Sequence, residues 1–209
     1  MVLKTWLGSS IEVHFVQKVN AYSFLLNQIL ANVHRGFQQQ YASIRDELRK
    51  TVSEYIDELD PPEILITGHS LGGALADICA IDFALNEIKN SKNFDFSKKL
   101  KVINFGAPKV GDKNLEKLFN DNVNGLRLVN ETDYVPQLPK LIPTFIHGFR
   151  HCGKQIILKD TEKAGLFLTK YVSVKAHYMT RYLNSVQETK KFIKQKRRPR
   201  TNFVNIRVL

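Results

Sequence analysis

From Phe37 to Leu59, apolar residues recur at steps of three and four: Tyr41, Ile44, Leu48, Val52, Tyr55, Ile56 and Leu59. That spacing predicts one face of an α-helix, with Arg45, Glu47, Arg49 and Lys50 assigned to the opposite face. Asp60-Pro61-Pro62 ends it, because proline has no N–H to continue the ladder and restrains the residue before it. The pattern then changes period. Glu63–Thr67, EILIT, reads as a buried strand, and a glycine-rich turn leads into a helix from about Leu71 to Asn90. A polar surface loop is expected over Asn90–Lys99. Lys101–Phe105 is a second strand, broken by Gly106-Ala107-Pro108, and Asp112–Asn120 a short helix. Leu126–Asn130 and Arg150–Leu158 are further strands, and Ala176–Val186 is a helix with Tyr178, Tyr182 and Leu183 as candidate buried positions. Short strands alternating with helices predict an α/β fold with a mostly parallel sheet and covering helices.

The turn after EILIT reads Gly68-His69-Ser70-Leu71-Gly72-Gly73, a G-x-S-x-G segment between strand and helix. A serine on such a sharp turn projects its Oγ above the C-terminal edge of the sheet. Small neighbours are expected at Gly68 and Gly72, so that strand and helix approach without a clash. The following helix aims its free N–H groups at charge developing on an attacked carbonyl, which makes the Leu71 N–H an oxyanion donor.

A serine hydroxyl needs a base to take its proton and an acid to orient that base. In this strand–turn–helix context the partners follow in the order Ser, Asp or Glu, His. The histidines after Ser70 are His147, His151 and His177. His177 opens the final helix after the last strand and suits the base, whereas His147 and His151 precede or begin that strand. Asp133 lies just past the Leu126–Asn130 strand, where ligands bind in open α/β sheets, and Pro136 and Pro139 stiffen its loop. Glu131 competes for the acid and is nearer the strand end.

Six blocks, in order, are similar to the class 3 lipase family, the fungal-type triacylglycerol lipases and their relatives. They are VHRGF (Val33–Phe37), TGHSLGGALA (Thr67–Ala76), FGAPKVGD (Phe105–Asp112), RLVNETDYVPQLP (Arg127–Pro139), FRHCGKQIIL (Phe149–Leu158) and AHYMTRYL (Ala176–Leu183). The resemblance implies an α/β-hydrolase fold with helices on both faces of the sheet. It implies Ser70 as nucleophile, Asp133 as acid and His177 as base, and hydrolysis of acylglycerol esters at a lipid–water interface without metal or cofactor. Some members act on phospholipids or galactolipids instead. It also implies a second oxyanion donor from an Arg-Gly-Ser or Arg-Gly-Thr segment followed by a lid helix. Here VLKTWLGSSI, Val2–Ile11, is a degraded counterpart, with Ser9 as donor and Ile11–Val19 as lid. The strands that precede such a segment in the family are expected to be either truncated or reduced here.

The chain has 209 residues, 43% of them hydrophobic and 24% charged, which fits one folded domain rather than a disordered or fibrous chain. Two cysteines make no disulfide framework; Cys79 is read as a buried small residue, and Cys152 beside His151 lacks metal-ligand spacing. The first ten residues show no signal-peptide pattern, so a cytoplasmic, membrane-surface location is expected. Leu65–Leu85 is apolar enough to suggest a membrane span, but a buried strand and helix explain it better. The net charge is +11, of which Glu188–Leu209 holds +7. The lipase-like domain is therefore placed at 1–187 and a basic, disordered tail at 188–209. That tail reads as a solvated end, as a contact for anionic membranes, or, less favoured, as a nucleic-acid patch. Three functions stay open: an active lipase or esterase, an inactive relative, and a basic binding module on a hydrolase scaffold. Oligomeric state and acyl preference have no sequence signal.

Overall fold

The computed structural model describes residues 3–4, 10–11, 31–85, 94–139, 148–159 and 175–197. Near the N-terminus, β1 (Leu3–Lys4) pairs antiparallel with β2 (Ser10–Ile11) as a ladder of its own. Helix α1 (Arg35–Leu59) follows, then β3 (Ile64–His69), α2 (Leu71–Leu85), the single turn α3 (Phe96–Lys99), β4 (Leu100–Phe105), α4 (Lys113–Asn122), β5 (Asn124–Asn130), β6 (Lys154–Leu158) and α5 (Met179–Arg197). The main sheet has the order β3-β4-β5-β6 and every neighbouring pair in it is parallel. Among the described residues no strand pairs with the outer edge of β3.

Register fixes which side chains share a face. Ile66 lies opposite Val102, which lies opposite Gly125; Asn104 lies opposite Arg127. This face is covered by α2, whose Asp77 accepts a hydrogen bond from Asn104. Helix α1 packs on the outside of α2. The other face is covered towards β5 and β6 by α5, where Tyr182 meets the ring of Phe105 edge-on. Helices therefore flank both faces, as in α/β hydrolases. Glycine is required where α4 crosses the sheet, since a Cβ on Gly125 would sit 2.4 Å from the Phe119 ring.

Several expectations need correction. Ile44, Tyr55 and Leu59 of α1 are exposed, and the packed stripe is Tyr41, Leu48, Val52 and Ile56. Arg45 and Arg49, assigned to the solvent face, turn towards α2 instead. Arg45 grips both oxygens of Asp82 at 3.0 Å, Arg49 reaches it at 3.2 Å and the Tyr41 hydroxyl at 2.8 Å. Asp82 is only 3% exposed, and its charge selects the arginines for that side. Asn90–Lys99 is not wholly a surface loop: Phe94 and Phe96 are buried, with Phe96 against Phe83. Of the three candidates only Tyr182 is buried; Tyr178, just before α5, and Leu183 within it are exposed. That helix also continues to Arg197, so the first ten residues of the segment expected to be disordered are helical. No helix among the described residues is long and apolar enough to cross a membrane.

Candidate active site

The turn between β3 and α2 is strained where the chemistry requires a projecting side chain. Ser70 has φ 56°, a left-handed conformation that a residue with a Cβ rarely adopts. It is held by its N–H, which donates to the Phe105 carbonyl at 2.9 Å, and by its own carbonyl, which accepts from Gly73 and Ala74. Those two are the first donors of the α2 ladder, so the N–H groups of Leu71 and Gly72 precede it and stay directed out of the helix N-terminus.

The small-residue requirement falls partly elsewhere than expected. A Cβ on Gly68 would sit 2.1 Å from the Gly72 carbonyl oxygen, which no shift of a side chain relieves. A Cβ on Gly72 would meet nothing within 4 Å. The expectation for Gly72 is thus wrong, because the first turn of α2 points that position away from the sheet. Gly73 is the second tight position, with a Cβ 2.8 Å from that of Ala107.

The structure brings Ser70, His177 and Asp133 together from three loops. Ser70 Oγ–H donates to His177 Nε2 at 2.7 Å, and His177 Nδ1–H donates to Asp133 Oδ2 at 2.8 Å. Both directions follow from chemistry, since a carboxylate only accepts and the ring nitrogen opposite a protonated Nδ1 is the acceptor. Asp133 is 2% exposed and follows β5 directly. Its Oδ1 accepts from the Val135 N–H at 2.9 Å, and its Oδ2 also accepts from the Tyr182 hydroxyl at 2.6 Å. Glu131, the competing acid, is exposed and has no bond to His177 among the described residues. His151 precedes β6 and has no bond to Ser70 or Asp133 among the described residues, and burial pushes its ring down to about 3, with the nearby Arg127 charge adding to that. His147 and Ser9 lie outside the described residues, as do the lid positions beyond Ile11. Ile11 itself is in β2.

Three residues support this chain of bonds without having been singled out for it. His69 donates from Nε2 to the His177 carbonyl at 2.7 Å and stacks on its ring at 4.6 Å. Burial lowers the His69 ring from its usual value, and the facing His177 adds to this. Asn130 donates to the Ala176 carbonyl at 2.9 Å, fixing the backbone just before His177. Gly106, at φ +60°, makes room, for a Cβ there would lie 2.8 Å from Asp133 Oδ2 and 3.1 Å from the His177 ring. His69 was visible as the second residue of the turn motif, and Gly106 as the glycine that breaks β4. Asn130 carried no signal of its own. Among the described residues no group of His, Cys, Asp and Glu has the makings of a metal site.

The family model for lipase (class 3) matches residues 6–142, two thirds of the chain. This protein belongs to the class 3 lipase family. The match includes Ser70 and Asp133 and stops short of His177, which the fold supplies. Among curated relatives, a lipase of Rhizomucor miehei is 34% identical over 129 residues, 61% of this chain and 33% of that protein. Phospholipase A1-IIgamma of Arabidopsis thaliana is 27% identical, over 90% of this chain and 48% of its own. The class 3 chain thus spans a third to a half of the length of these relatives. Its fold is similar to the Rhizomucor miehei lipase in a propeptide complex, with TM-score 0.56, 30% identity, and coverage of 69% of this chain and 43% of that one. It is similar also to a triacylglycerol lipase whose catalytic centre is formed by a serine protease triad, with TM-score 0.59, 26% identity, and coverage of 78% and 62%. The α/β-hydrolase fold is therefore shared.

Proposed function

We propose that the chain is a serine esterase acting on acylglycerol-type lipids, with Ser70 as nucleophile, His177 as base and Asp133 as the orienting acid. The unbroken line of hydrogen bonds from Ser70 Oγ through His177 to a buried Asp133 carries this reading. Ser70 Oγ attacks the ester carbonyl carbon while its proton passes to His177 Nε2. The Asp133 charge stabilises the imidazolium. The tetrahedral oxyanion accepts from the Leu71 N–H at the positive end of α2, and Ser9 serves as the second donor. Collapse expels the alcohol, which takes the proton from His177, and leaves an acyl group on Ser70. Water, deprotonated by His177, then releases the fatty acid.

The comparisons support ester hydrolysis of lipids and include both lipases and phospholipases A1, so acylglycerols and phospholipid acyl esters are the two substrate classes to compare. Contact with an anionic lipid surface through the basic residues of α5 and beyond belongs to the same reading. Each such residue contributes ~1 kcal/mol near an anionic bilayer, and the attraction fades as salt rises. The deciding experiment is labelling with a fluorophosphonate, which reacts only with a serine activated by its base. Labelling of the wild type, lost in Ser70→Ala, is the expected result. An unlabelled wild type leaves an inactive lipid-binding relative.

A further inference from the structure

Two adjoining cavities of about 580 and 490 Å³ open on the α2-side face of the sheet beyond the cover of that helix, over β5 and β6. Lys109, Arg127 and His151 line both. Arg127 projects from the middle of β5 and is 5% exposed, yet among the described residues its one side-chain hydrogen bond is to the amide oxygen of Gln155, and its Nε is buried without a partner. His151 Nδ1 is likewise buried and unpartnered. Arg150 lines the second cavity. None of the three cations forms an ion pair with a described residue.

The carboxyl groups nearby are not paired with them among the described residues. Asp133 reaches the first cavity, but its oxygens are taken by His177, Tyr182 and the Val135 N–H. Asp77, whose charge acts on Arg127, is fully buried, is pushed up to about 8 by burial, and hydrogen-bonds to Asn104 rather than to Arg127. Glu131 and Glu116 each line one of the cavities, and neither forms an ion pair with a described residue. A buried guanidinium that no carboxylate grips directly is costly, and a wall that keeps one beside a lysine and a second arginine suits an anion.

We propose that this wall binds the phosphate group of a phosphate ester, in a site lined by neither Ser70 nor His177. Arg127 offers the planar donor fork that matches phosphate oxygens, Lys109 adds a point charge and Arg150 a second guanidinium at the second cavity. The first cavity is far larger than a phosphate ion, and Val129, Pro136 and Ile157 give it an apolar side for the organic part of the ester. The inference does not depend on the proposed esterase activity.

Calorimetric titration of the full chain tests it, with inorganic phosphate, glycerol 3-phosphate and a monomeric short-chain diether phosphatidate, against chloride at matched ionic strength. Saturable binding of all three is expected, weakened on the order of 10-fold by Lys109→Gln and further by Lys109→Gln with Arg150→Gln. Arg127→Gln abolishes it; should that variant fail to fold, the other two still decide. Equal affinity for the three compounds assigns the site to free phosphate and small esters. Tighter phosphatidate binding that displaces phosphate assigns it to phospholipid. Heats no different from chloride, or affinities unchanged in the double variant, overturn the proposal. Soluble-ester hydrolysis by the double variant stays at the wild-type rate, which separates this outcome from any failure of the triad assignment.

Discussion

The Tyr182 hydroxyl and the His177 ring donate to the same oxygen of Asp133, at 2.6 and 2.8 Å. Tyr182 is fully buried on α5, one turn and a half beyond His177, and its oxygen also accepts from the Asn130 N–H at 3.2 Å. One phenol thus ties the end of β5, Asp133 and the helix that follows His177.

Tyr182→Phe therefore removes a hydrogen bond to a buried carboxylate and leaves the Asn130 N–H unpaired. Bonds to charged groups are worth ~1.5–3 kcal/mol, so a loss on the order of 10- to 100-fold in kcat is expected, together with a lower Tm. KM on a soluble ester should change little, because substrate does not touch this residue. A variant with wild-type kcat would show that the Asp133 loop holds its position without Tyr182.

Gly68→Ala and Gly72→Ala are expected to behave oppositely although both flank the nucleophile. The first places a methyl 2.1 Å from a backbone carbonyl and should abolish activity or folding. The second enters open space in the first turn of α2 and should keep activity, gaining up to ~1 kcal/mol from reduced chain entropy. Thermal denaturation with an ester assay reads both. Loss of activity in Gly72→Ala would mean that its small size serves the substrate rather than the turn.

Asp82→Ala should be among the most damaging substitutions remote from Ser70. It leaves Arg45, Arg49 and Tyr41 facing the gap between α1 and α2 without their shared acceptor. Burial raises the Asp82 carboxyl, but hydrogen bonds from Arg45 and Tyr41 and the arginine charges outweigh it and hold the group below its ordinary value. Its contribution is thus present above the unfolded pKa and is lost as pH falls through the folded one. Breaking such a buried cluster costs ~3–5 kcal/mol, a fall of roughly 6–20 °C in Tm. A fall under 2 °C would make the cluster incidental.

The strands and the turn at Ser70 were legible because each is a local pattern, an apolar run closed by glycine. That Ser70, Asp133 and His177 come together was legible because chain order and strand ends constrain where partners stand. The face of α1 was not, because Ile44 and Tyr55 fit the helical period as well as Leu48 does, and only the charge of Asp82 on another helix decides between them. Gly72 was misread for a similar reason: a motif shows that a residue is glycine, not which neighbour requires it. The roles of Tyr182, Asn130 and Arg127 depend on contacts across more than 25 residues, with no periodic trace.

His151 and Asp77 titrate in opposite senses and should mask one another in the pH dependence of stability. Burial pushes His151 down to about 3, so below the unfolded value of 6.5 the unfolded chain binds a proton that the folded one refuses. Its stabilising contribution is complete above pH 6.5 and is lost as pH falls towards 3. Burial pushes Asp77 up to about 8 from 3.8, so the folded chain keeps a proton that the unfolded one releases. Its contribution is complete below pH 3.8 and is lost as pH rises towards 8. Each group acts with a slope of about 1.4 kcal/mol per pH unit, and between pH 6.5 and 3.8 the two slopes cancel. Burial lowers His34 and His69 as well, which adds to the His151 direction. A flat wild-type profile in that window would therefore conceal two strong titrations, and denaturant unfolding of two variants separates them. His151→Gln should gain stability relative to wild type by ~2 kcal/mol as pH is lowered from 6.5 to 5, and Asp77→Asn should lose a similar amount over the same interval. Parallel profiles for wild type and both variants would show that neither group is held out of its ordinary protonation range by the fold.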